Sequence, residues 1–76
     1  DASALAGEQR ELIEAAIADL PPLYRDVFVL ADVENLPNAE VGEMLNLSLA
    51  AVKSRLHRAR VALAAEVREE MRHASR

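Results

Sequence analysis

Residues 48–60 read Ser-Leu-Ala-Ala-Val-Lys-Ser-Arg-Leu-His-Arg-Ala-Arg. On a helix of 3.6 residues per turn, the apolar residues of this segment and of the next turn form one narrow stripe: Val52, Leu56, Ala59 and Leu63. The opposite face and its flanks carry the polar and cationic residues: Lys53, Ser54, Arg55, His57, Arg58 and Arg60. Such a helix fits the major groove of DNA. It also fits an ordinary amphipathic helix with a solvated face, so the segment alone leaves both interpretations open.

The charges of the chain are divided between its two halves. Residues 1–47 hold ten acidic and two basic residues, whereas residues 48–76 hold three acidic and seven basic residues. The net charge of −4 therefore conceals a local excess of +4 around the basic helix. This division indicates two surfaces with different partners.

The composition is typical of one small helical domain. The 76 residues include two glycines, no cysteine and only two aromatic residues, Tyr24 and Phe28, so we expect an aliphatic core and a reducing, cytoplasmic compartment. We expect no membrane span, signal peptide or cofactor. Because the chain begins with Asp1 rather than Met, we expect either a processed product or, the interpretation we favour, a domain cut from a longer protein.

Hydrophobic periodicity predicts an all-α fold of four helices, with no strand. We place the end of a linker at residues 1–7, a helix-turn-helix domain at residues 8–72 and a frayed tail at residues 73–76. The helices are expected at about 8–19, 22–34, 38–45 and 48–72, with Pro21-Pro22 separating the first two. We expect eight residues in the core: Leu12, Ile17, Leu23, Leu30, Val41, Leu45, Val52 and Leu56. Met44 is also expected to point inward.

Two similar junctions define the helix-turn-helix. Asn35 and Asn46 each follow a helix and precede a leucine, and Asn tolerates the left-handed conformation that ends a helix. Gly42, in the middle of the third helix, predicts a close crossing by another helix. Ser48 is expected to cap the fourth helix. A short helix, a tight turn and a longer basic helix are typical of DNA-binding proteins.

The chain resembles a known family between about residues 19 and 65. The matching motifs are Leu20-Pro21-Pro22, Val27-Phe28-Val29-Leu30, Glu34-Asn35-Leu36, Ala39-Glu40-Val41-Gly42-Glu43 and Val52-Lys53-Ser54-Arg55-Leu56-His57-Arg58-Ala59-Arg60. They are similar to region 4 of bacterial sigma factors, specifically the extracytoplasmic-function (ECF) group. The resemblance implies recognition of double-stranded promoter DNA at the minus-thirty-five element and docking on the β-subunit flap of the RNA polymerase core. It also implies an anti-sigma partner.

The resemblance also suggests roles for individual residues. Base-facing contacts are expected from Lys53, Ser54, His57 and Arg58, and phosphate contacts from Arg55, Arg60 and Ser48. The family commonly has Ser or Thr at the position of Pro37, which cannot cap a helix in that way, so Asn38 is expected to substitute. The family's Gly-Thr is replaced by Ala50-Ala51, which removes a hydroxyl.

A second surface is expected away from DNA. The first two helices carry most of the surplus carboxylates, which repel phosphates. Val29, Val33 and Val61 are candidates for contacting the flap or an anti-sigma factor. Scattered surface valines explain each of them equally well.

Other functions receive less support from the sequence. Glu70 and His73 have a spacing found in carboxylate-bridged metal sites, but such sites need a second copy, so we expect no metal, no catalysis and no small-molecule substrate. Two alternatives to a sigma factor remain. One is a response-regulator output domain with a similar helix-turn-helix, and the other is a helical protein-interaction module that does not bind DNA.

Overall fold

The computed structural model of the chain describes the backbone of residues 2–74 and the side chains of residues 7–73. It contains helix α1 (Ala2–Asp19), helix α2 (Pro22–Phe28), helix α3 (Asn38–Leu45) and helix α4 (Leu49–Ala74). A π-helical segment, Val29–Val33, directly continues α2. No strand occurs between residues 2 and 74, so the predicted all-α fold is confirmed. Within the described helices, none is both long and apolar enough to cross a membrane.

The first helix starts earlier than the sequence predicted. Residues 2–7, expected as the end of a linker, are helical and continuous with the predicted helix from Glu8. Alanine and leucine dominate this segment, and their high helix propensity accounts for the extension. Asp1, Ser75 and Arg76 lie outside the described residues, and so does the second half of the predicted frayed tail, whereas residues 73–74 still belong to α4.

The second predicted helix contains a local change of helix type. In the π segment the amide of Glu34 donates to the carbonyl oxygen of Val29, 2.9 Å away, and the amide of Leu36 donates to that of Leu30, 3.0 Å away. Asn35 closes the segment with a positive φ of 60°, as predicted. Periodicity predicted a helix here but not the wider turn. Single π turns are frequent at functional sites.

The turn between α3 and α4 has the predicted helix-turn-helix geometry. Asn46 adopts the left-handed conformation, and the amide of Leu47 donates to the carbonyl oxygen of Gly42. The hydroxyl of Ser48 accepts a hydrogen bond from the amide of Ala51, 3.1 Å away, so the predicted cap of α4 is confirmed. By contrast, no side chain caps α3, and the expected substitution by Asn38 is wrong.

The core joins α2, α3 and α4 at the centre of the motif. Its buried residues are Val27, Val41, Val52 and Leu56. The residues packed against them are Phe28, Leu30, Ala31, Leu36, Leu45 and Leu47. Ala16, Leu20 and Ala59 are also buried, and α1 packs on the later turns of α4. The core therefore fixes the rotation of α4 about its axis.

The predicted burial is wrong for two of the residues that were expected to face inward. Leu23 is 60% exposed because it lies in the first turn of α2, one turn before the buried Val27. Periodicity predicts the face of a helix but not how far neighbouring helices cover it. Met44 is also exposed, because the buried side of α3 is centred on Val41 and Gly42. Leu12, Ile17, Leu30 and Leu45 are only partly buried.

Candidate nucleic-acid interface

The buried stripe of α4 determines which of its residues face outward. Val52 and Ala59 are fully buried and Leu56 is nearly so. The four predicted base-facing residues lie outside this stripe and are all exposed: Lys53, Ser54, His57 and Arg58. Their contacts with bases stay a prediction.

The first turns of α4 carry cations but no carboxylate of their own. Residues 48–65 contain four cations and no carboxylate, and the first acid on α4 is Glu66. Arg55 is half-buried on one flank, and Ser48 is exposed at the start of the helix. The Ser48 hydroxyl accepts a hydrogen bond from the Ala51 amide and so caps α4. Its contact with a DNA phosphate stays a prediction. A dense row of cations on a helix is typical of a surface that binds nucleic-acid phosphates.

Arg60 differs from the other cations because it has a partner within the chain. Its Nε donates to one carboxylate oxygen of Asp32 at 2.8 Å, and its second terminal nitrogen donates to the other oxygen at 2.7 Å. These two hydrogen bonds lower the pKa of Asp32 and raise the pKa of Arg60, because each charged group stabilises the ionised form of the other. Asp32 lies in the π segment, so this ion pair joins α4 to the end of the second helix.

The sequence analysis missed this pair. Asp32 and Arg60 are 28 residues apart, and the only available signal was the opposite charge of their side chains. Many other carboxylates in the chain could pair with Arg60 on that ground. The π turn decides where Asp32 points, and no residue pattern predicted that turn.

Comparison with known proteins adds to this geometry. Residues 10–63 match the sequence profile of the family described as sigma-70, region 4. The chain belongs to this family. It is 40% identical over 62 residues to the ECF RNA polymerase sigma factor SigW of Bacillus subtilis, covering 82% of this chain and 33% of that protein. It is 44% identical over 48 residues to the ECF RNA polymerase sigma factor SigE of Mycolicibacterium smegmatis, covering 63% of this chain and 19% of that protein.

These matches decide between the interpretations of the helix-turn-helix. The chain is a region 4 domain of the ECF type rather than a response-regulator output domain. It spans one third or less of the length of these curated relatives. Their names describe whole sigma factors, of which this chain resembles one part.

The valines expected at a partner surface of the region 4 domain do not lie on one element. Val33 is 54% exposed on the π segment, and Val29 is partly buried there. Val29 lines an open, apolar groove of about 240 Å³ between the second helix and α3, with Arg25, Asp26, Leu30 and Leu45. Val61 is 56% exposed, but it follows His57 by four residues on the outward face of α4. The structure therefore aligns Val61 with the candidate DNA-facing residues.

The far end of α4 in the region 4 domain is acidic where it meets α1. A hydrogen bond with Asp19, the last residue of α1, raises the pKa of Glu66, and desolvation and the charges of Asp19 and Glu70 raise it further. One turn later, Glu69 contacts Arg72 and His73 at 3.4 and 3.3 Å. Among the described side chains no cluster of His, Cys, Asp and Glu has the arrangement of a metal site.

Proposed function

We propose that this region 4 domain recognises the minus-thirty-five promoter element for a sigma factor of RNA polymerase. The observation that carries the proposal is the cationic surface of α4: Lys53, Arg55 and Arg58 have no ion-pair partner among the described side chains, and the buried stripe holds α4 from the other side. An α-helix enters the major groove, where base edges can be distinguished. The family match and the names of the ECF relatives support promoter recognition as the biological role.

The exposed residues of α4 are proposed to contact different parts of the DNA, according to their position on the helix. Ser54, His57 and Arg58 lie opposite the buried stripe and Lys53 lies on a flank; all four are exposed and are proposed to face the bases. Arg55 on the flank, and Ser48 at the helix start, are proposed to contact phosphates on either side of the groove. The role is proposed to be binding without catalysis, in the cytoplasm, where the polymerase and its promoters are found.

The polymerase is the second proposed partner. We place the β flap on the π segment and the adjacent groove, where Val33 is exposed and Val29 lines the wall. The carboxylates of α1 and α2 lie away from the basic face in sequence and would orient the partner more than bind it. An anti-sigma factor is proposed to compete for the same residues.

A binding assay on a selected duplex tests the DNA proposal. Duplexes enriched from a randomised library by the 76-residue chain are compared with scrambled duplexes of the same composition, using fluorescence anisotropy at one fixed salt concentration. We expect weak but sequence-dependent binding, with the selected duplex bound at least tenfold more tightly. Equal affinity for selected and scrambled duplexes would contradict promoter recognition by this chain alone.

A further inference from the structure

The Asp32–Arg60 ion pair lies at the edge of the proposed DNA-binding face. Arg60 follows Lys53 by seven residues, so both lie on the same flank of α4, separated along the axis by about 10 Å. A free Arg60 would therefore extend the row of cations along the DNA backbone. The side chain of Arg60 is 56% exposed, but the geometry of its contact with Asp32 decides how much of its charge is available.

The Asp32 carboxylate occupies the part of the guanidinium that would best bind a phosphate. Two parallel hydrogen bonds from one side of an arginine to two oxygens are the arrangement that this side chain makes with phosphates as well as carboxylates. A phosphate approaching Arg60 would have to displace Asp32 or come close to its negative charge. Lys53, Arg55 and Arg58 have no ion-pair partner among the described side chains.

Both members of the pair are held by the surrounding fold. The buried Val52, Leu56 and Ala59 fix the rotation of α4 and with it the flank on which Arg60 lies. Asp32 is part of the π segment, whose backbone is closed by the Glu34 and Leu36 amides. The Asp32 side chain is only 25% exposed. The pair is therefore a positioned contact between two ordered elements, unlike an ion pair between two flexible surface side chains.

We propose that Asp32 sets the DNA affinity of the domain by acting as an internal substitute for a phosphate on Arg60. Lys53, Arg55 and Arg58 are then available to the DNA, and the charge of the fourth cation, Arg60, is neutralised by Asp32. This inference rests on the proposed DNA-binding function. It assigns Arg60 a structural contact within the domain instead of a contact with phosphate. A lower affinity for any sequence is useful because every non-specific site on a chromosome competes with the promoter.

The salt dependence of binding measures the number of phosphates that the protein neutralises. We compare the 76-residue chain with its Asp32→Asn and Arg60→Gln variants on one random-sequence duplex. Asp32→Asn frees a cation, so the slope of log Kobs against log salt should steepen by about one. Arg60→Gln should leave the slope unchanged. A slope shallower by about one in Arg60→Gln would overturn the proposal, because Arg60 would then bind phosphate in the parent.

Asp26→Asn is the matched control for the loss of one negative charge. Asp26 is an exposed acid on α2 with no ion-pair partner among the described residues. Both aspartate variants change the net charge equally, but only Asp32→Asn releases an arginine. If the two variants have the same slope and affinity, a general charge effect explains the result and the proposal fails.

A second readout does not depend on DNA recognition. The NMR signal of the Arg60 Nε–H group should exchange slowly with solvent in the parent, with and without heparin as a simple polyanion. It should exchange fast in Asp32→Asn. Fast exchange in the parent, or a change on adding heparin, would overturn the proposal. Absence of any DNA binding combined with a protected Arg60 signal would instead reject the proposed function and retain the ion pair.

Discussion

Gly42 and Leu47 lie close together across the turn of the helix-turn-helix. The amide of Leu47 donates to the carbonyl oxygen of Gly42 at 2.8 Å, while a Cβ added to Gly42 would lie 2.7 Å from the carbonyl oxygen of Leu47. The sequence predicted a close helix crossing at Gly42, and Val52 of α4 does lie 3.5 Å from the added Cβ, but the nearest neighbour is the backbone of the turn. The angle between α3 and α4 therefore depends on the absence of a side chain at position 42.

Gly42→Ala should destabilise the domain although alanine is the better helix former. The added methyl meets a backbone carbonyl that is held by its own turn, and we expect a loss of about 1–3 kcal/mol in the free energy of unfolding. Gly7→Ala is the control, because nothing lies within 4 Å of its Cβ and α1 is helical there. It should stabilise by about 0.5–1 kcal/mol. Urea titration of both variants measures the difference, and equal signs would contradict the steric argument.

Leu56→Ala should cost about 2–5 kcal/mol of unfolding free energy, because Leu56 is 4% exposed in the core that fixes α4. Leu23→Ala, the same change at an exposed position, should cost no more than about 0.5 kcal/mol. Denaturant titration compares the two. A loss below about 0.5 kcal/mol for Leu56→Ala would show that the buried face of α4 is assigned wrongly.

The Asp19–Glu66 contact predicts that the packing of α1 on α4 depends on pH. The pKa of Glu66 in the folded state lies above the ordinary value of 4.5, which we take for the unfolded chain. At pH values between these two pKa values, the folded form binds the proton more tightly than the unfolded form. Stability should therefore fall as the pH rises through this window and stay lower above it. Glu66→Gln should raise the melting temperature at neutral pH and change it little below pH 4.5.

The control for Glu66→Gln is Glu43→Gln, which removes an exposed carboxylate from α3. It should not reproduce the gain at neutral pH. Thermal unfolding followed by circular dichroism at both pH values is the measurement. A gain of the same size at acidic and neutral pH would show that the Asp19–Glu66 contact is not its cause.

The proposed flap surface predicts different effects for two exposed valines. Val33→Glu places a charge on the π segment and should weaken binding of the isolated polymerase flap at least tenfold. Val61→Glu lies on the outward face of α4 and should instead weaken DNA binding, because its carboxylate would repel phosphates. Flap pull-down titration and DNA anisotropy on both variants separate the surfaces. Flap binding that is unaffected by Val33→Glu would remove the π segment from the interface.

The sequence predicted most of what is local in this fold. The left-handed Asn35 and Asn46, the Ser48 cap and the buried stripe of α4 each depend on residues within a few positions of one another. It did not predict the burial of Leu23 and Met44 correctly, because exposure depends on where other helices end. The Asp32–Arg60 pair needed the π turn, whose wider hydrogen bonding has no pattern in the residues of the segment. The face of the candidate site was therefore predictable, but the neutralised cation within it was not.

The central claim is that the outward face of α4 reads bases, and Arg58 tests it most directly. Binding to a randomised duplex library is measured for the parent, Arg58→Ala and the flank variant Arg55→Ala. We expect Arg58→Ala to lose about 1–3 kcal/mol of discrimination at one base position. Arg55→Ala should weaken all sequences alike and lower the salt slope by about one. An unchanged ranking of sequences in Arg58→Ala would contradict the account.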